Sequence, residues 1–85
     1  MEERQKQIRR LTRLISQNVG LLNSWVNGKS NLGYDKIHDT FKTTDLYLDQ
    51  LSKYDVVQSL KLWGDYEHAR QRCERIFVES MVRTA

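Results

Sequence analysis

Residues 23 to 37 read NSWVNGKSNLGYDKI, and their reading decides the fold. Trp25 and Val26 are followed by a polar stretch in which Leu32 is the only large apolar side chain before Tyr34. Asn27-Gly28 supplies a helix stop, because glycine reaches the left-handed conformation of a C-terminal cap without a steric cost. Ser30 or Asn31 is then the expected N-cap of a second helix. The segment is the turn of a helical hairpin, with Trp25 and Tyr34 on either side of the connection. An indole there is expected to plug the open end of the core rather than to serve as a binding handle.

Outward from this turn the apolar residues recur at intervals of three and four. In the first segment Ile8, Leu11, Ile15, Leu22 and Trp25 form a seam that Leu14, Val19, Leu21 and Val26 widen, the pattern of a core-facing helix over about residues 2 to 26. Asn18 is its one polar member, and a buried asparagine can fix register or oligomeric state by demanding a matching partner. Gly20 weakens the helix locally and is expected to mark a close backbone approach. Tyr34, Ile37, Phe41, Thr44, Leu48 and Leu51 give the second helix the same alternation over about residues 34 to 52. The chain lacks proline, so the strongest helix breaker is missing throughout.

Beyond residue 52 the pattern changes phase. Asp55, with Gln58 three residues on, reads as the cap of a third helix over about residues 55 to 83. Two other readings stay open: one long bent helix from 34 to 83, or a break at Gly64-Asp65. In this third segment Leu62, Tyr66, Ala69, Cys73, Ile76 and Phe77 form one stripe. Val56, Val57, Leu60, Val78 and Val82 fall on an adjacent face, with Trp63 and Met81 between the two. That arc is wider than a hairpin can cover, so one face is left for a second surface. The expected fold is all-α: a single domain over residues 1–85, built as a helical hairpin extended by a third helix, either a three-helix bundle or a long hairpin, and dimeric. Eighty-five residues bury a modest fraction of their surface, and a second subunit adds to it.

Composition excludes several classes. Fourteen Lys and Arg stand against eleven Asp and Glu, and the mean hydropathy is −0.70, a globular rather than a membrane-spanning or disordered balance. No transmembrane run and no secretory leader are expected from MEERQKQIRR, and a lone cysteine, Cys73, fits a reducing compartment, so the location expected is cytoplasmic. No His-x-x-x-His, Cys-x-x-Cys or paired-carboxylate spacing appears, and His38 and His68 read as solvated side chains. Neither a catalytic set, a metal site nor a cofactor is expected, and the chain reads as not an enzyme.

Two binding surfaces remain. The first joins the exposed Leu46, on the charged side of the second helix, to Trp63, Tyr66, Arg70 and Phe77 of the third; tryptophan, tyrosine and arginine are enriched where interfaces hold their energy. It implies a non-enzymatic regulator or adaptor that binds another protein, in a homo-oligomer. The alternative is a small basic helical protein that binds nucleic acid or another polyanion through Lys6, Arg9, Arg10 and Arg13. Residues 1–33 carry six basic and two acidic side chains. In an antiparallel hairpin Asp45 and Asp49 lie opposite Arg9 and Arg13, and pairing there would cancel the field of the basic face. On that ground the protein-binding reading is preferred.

Overall fold

A Schellman arrangement closes the first helix. The amide of Gly28, at φ +75°, donates to the Trp25 carbonyl over 3.1 Å, and the amide of Lys29 donates to the Ser24 carbonyl over 2.8 Å. These bonds satisfy carbonyls that the helix end would otherwise orphan. In a computed structural model describing residues 2–84, with side chains through residue 82, the chain folds as α1 (Glu2–Val26), α2 (Tyr34–Ser52) and α3 (Val56–Thr84). The N-cap of α2 is Gly33, without a side-chain cap, rather than Ser30 or Asn31. The N-cap of α3 is the expected one, since the Gln58 amide donates to Asp55 Oδ1 over 3.1 Å.

Both alternatives to three separate helices are removed. The chain turns at residues 53–55, where the amides of Tyr54 and Asp55 donate back to the Leu51 carbonyl. α3 then runs unbroken through Gly64. Each helix packs against both of the others, which makes a three-helix bundle measuring 54 × 20 × 17 Å.

The core is the sum of the three seams: Leu11, Ile15 and Leu22 from α1, Ile37, Phe41, Leu48 and Leu51 from α2, and Leu62, Tyr66, Ala69 and Cys73 from α3. Burying each large aliphatic side chain contributes about 1.5–3 kcal/mol. Asn18 serves register inside the chain. Its Nδ2 donates to Thr44 Oγ1 over 3.0 Å, and that hydroxyl donates to the Thr40 carbonyl over 2.7 Å. The polar pair ties α1 to α2, since a slip would leave a half-buried amide without its partner.

Trp25 is half-buried, with its ring 5.8 Å from Tyr34 and 5.4 Å from Phe77. Its Nε1 donates to the Leu32 carbonyl over 2.9 Å, so the indole fastens the connecting loop as it plugs the bundle end. Gly20, in contrast, is approached by no backbone. A Cβ built there meets nothing within 4 Å, and the residue is exposed. Gly20→Ala is therefore expected to raise stability by about 0.5–1 kcal/mol, read as a melting temperature higher by roughly 2–8 °C.

Candidate functional site

Burying one side of α3 in the bundle leaves Val56 (58% exposed), Val57 (77%), Leu60 (63%), Trp63 (50%), Val78 (58%), Met81 (69%) and Val82 (70%) at the surface. At 3.6 residues per turn these seven fall within an arc of about 120°, along about 39 Å of helix. Glu67, Gln71 and Glu74 interrupt the stripe midway. Exposed aliphatic residues scattered singly are ordinary, whereas clusters of them at both ends of one helix face mark a surface that becomes covered.

Each end of the stripe opens on a groove. At the N-terminal end Leu60 and Trp63 face Asp45, Leu48 and Asp49 across the α2–α3 cleft. At the C-terminal end Val78 and Met81 border a groove of about 480 Å³ walled by Tyr34, His38 and Phe77. Its floor is aromatic: Phe77 lies 5.0 Å from Tyr34 and stacks on His38 at 4.9 Å with 15° between the planes. His38 is thus exposed as expected, yet it holds a fixed ring contact. The Tyr34 hydroxyl donates to Ser80 Oγ over 3.2 Å, which ties α2 to the last turns of α3.

Not every expected interface residue belongs here. Tyr66 is fully buried, a correction to its reading as a contact residue: three positions after Trp63 is nearly one turn, but the 60° difference carries it into the core. Its hydroxyl donates to the Phe41 carbonyl over 3.2 Å and accepts from Arg70 over 3.3 Å. Burial first, then the Asp45 carboxylate, push the Tyr66 phenol well above its ordinary range, while Arg70 opposes them. Arg70 spends its donors within the chain. It pairs with Glu74 at 2.9 Å and Asp45 at 3.4 Å, and its guanidinium stands 5.1 Å over the Phe41 ring. Glu74 is the main cause of its raised pKa. Phe77 is half-buried in the aromatic floor and lines the groove. Leu46, 54% exposed, stands on α2 outside the cleft that Trp63 lines. Of the five expected residues, Trp63 lies on the stripe itself, and Phe77 supports it.

The basic face departs from expectation in the opposite sense. Asp45 turns to Arg70 and Asp49 to Lys53, so neither reaches Arg9 or Arg13. A third helix explains this, because the edge of α2 that carries these aspartates borders α3. The four cations instead line one shallow groove together.

Among the described residues no group of three or more His, Cys, Asp or Glu side chains could hold a metal ion, and no helix is long and apolar enough to cross a membrane. Cys73 is fully buried, and burial pushes its thiol up to about 11. Alkylation of the folded chain at pH 8 is expected to be slower by at least tenfold than in urea, where the thiol is exposed. Because the folded thiol holds its proton where the unfolded one has lost it, Cys73 stabilises the fold fully below about pH 9 and loses that contribution as pH rises towards 11. Comparison of the chain with protein-family models, with curated proteins and with solved structures finds no match, so these surfaces are read from their own chemistry.

Proposed function

We propose that this chain is a non-enzymatic regulator or adaptor that works by binding protein through the exposed stripe of α3. The observation that carries the reading is the stripe itself: seven large apolar residues, each at least half exposed, on one side of one helix. Two further features support it. The aromatic floor beside Val78 and Met81 is held by ring contacts and a hydrogen bond, so a partner would find it already ordered. Trp63 is rimmed by Asp45 and Asp49, the arrangement of an apolar anchor within a polar border.

A second copy of the chain is the first occupant to test. An apolar stripe on a helix can cover itself about a two-fold axis, where the same surface contributes to both sides. Light scattering from low to high micromolar concentration is the experiment. The expected result is a mass that rises to that of a dimer. A monomer across the whole range, together with no protein retained when the tagged chain is used for capture at physiological ionic strength, would overturn the proposal.

A further inference from the structure

The basic groove on α1 is a second surface, separate from the stripe on α3. Lys6, Arg9, Arg10 and Arg13 are all exposed and line it together. None of them makes an ion pair with an acidic side chain of the described residues, although Glu2 and Glu3 stand one turn before Lys6. Arg10 Nε donates to the neutral Gln7 over 3.0 Å, and Gln7 in turn donates to Glu3 over 2.9 Å; the glutamine is interposed and the guanidinium charge is not neutralised. Residues 1–33 carry a balance of +4, while the whole chain carries +3, so the positive excess of the molecule is concentrated in α1 and the loop after it. Charge gathered on one face is the footprint of a polyanion site.

The surroundings narrow the polyanion. Among the described residues no large hydrophobic side chain on α1 is exposed, and a membrane surface would require bulky apolar residues beside the cations. The same lack removes the anchors that a protein partner would need. No aromatic residue interleaves with the four cations along α1, and the one ring that shares a pocket with any of them, Tyr54, lies beside Arg10 alone, so there is no row of rings on which successive unpaired bases could stack. Three of the four are arginines, whose forked donors match phosphate oxygens. Lys6 to Arg13 rises about 10.5 Å along the helix, close to three nucleotide steps of one strand at about 3.4 Å each.

We infer that the Lys6, Arg9, Arg10 and Arg13 face binds the phosphate backbone of duplex nucleic acid, without reading its sequence. The test uses the full chain with fluorescein-labelled 20-base-pair duplexes of DNA and of RNA, followed by anisotropy. Binding to a duplex is expected at low salt, weakening on the order of a hundredfold between 50 and 200 mM, with a log–log salt slope of about −3.6 for four phosphate contacts on DNA. The triple variant Arg9→Gln, Arg10→Gln, Arg13→Gln should lose at least tenfold in affinity at 50 mM salt and retain a slope of about −1, its helicity being checked by circular dichroism. Lys36→Gln with Lys42→Gln, both exposed on α2, should change binding less than threefold. The inference is overturned if the triple variant binds as the parent does, if single strands bind more tightly than either duplex, or if polyglutamate or anionic vesicles are bound as well as the duplexes.

Discussion

Tyr66→Ala is expected to lower the stability of the fold by about 3–5 kcal/mol. The ring is fully buried, lies 6.4 Å from Phe41, and occupies the middle of α3 where all three helices meet. Truncating a large aromatic side chain in a packed core costs about 3–5 kcal/mol. To this is added the cost to Arg70 of losing its phenol acceptor. A chain of this length has a total stability of roughly 4–13 kcal/mol, so the loss takes from about a quarter to all of it. Tyr66→Phe keeps the ring and removes the hydroxyl, and is expected to cost only about 1–2 kcal/mol. Urea titration followed by circular dichroism checks both, with the midpoint falling and the slope unchanged for Tyr66→Phe. A Tyr66→Ala variant as stable as the parent would remove Tyr66 from the core.

The second large effect is on association rather than on folding. Trp63→Asp combined with Met81→Asp places a carboxylate at each end of the α3 stripe. Both parent side chains are at least half exposed, so the change in stability is expected to stay within about 0.5–1 kcal/mol. Burying an unpaired carboxylate in an interface is costly, however, and loss of an anchor costs about 2 kcal/mol or more, a factor of about 30 in affinity for each site. The double variant is therefore expected to remain monomeric at concentrations where the parent associates. Leu46→Asp, outside the stripe, is expected to leave association unchanged. Should Leu46→Asp dissociate the protein and the double variant fail to, the binding surface would lie on the outer face of α2.

The apolar spacing alone determined the helices. Intervals of three and four place Leu11, Ile15 and Leu22 on one side of α1, and Ile37, Phe41 and Leu48 on one side of α2, because a helix turns once in 3.6 residues whatever it packs against. The stops at Asn27-Gly28 and the cap at Asp55 were legible for a similar reason, since both are settled by hydrogen bonds within a few residues. The same holds for the excess apolar arc of α3 and for Trp25 as the plug of the hairpin end.

What required the tertiary structure was every assignment that depends on which neighbour a flanking residue meets. Tyr66 and Trp63 differ by three positions and carry similar aromatic character, yet one is core and the other surface, because the boundary between them is drawn by where α1 and α2 lie against α3. Asp45 and Asp49 could be placed against Arg9 and Arg13 only while the hairpin was considered as two helices. The third helix, packed along that edge of α2, draws Asp45 to Arg70, leaves Asp49 with Lys53, and leaves the cations of α1 unneutralised. Local periodicity fixes the direction of a side chain relative to its own helix axis. The partner it meets there is set by the rotation of each helix in the bundle, which is a property of all three seams packing at once.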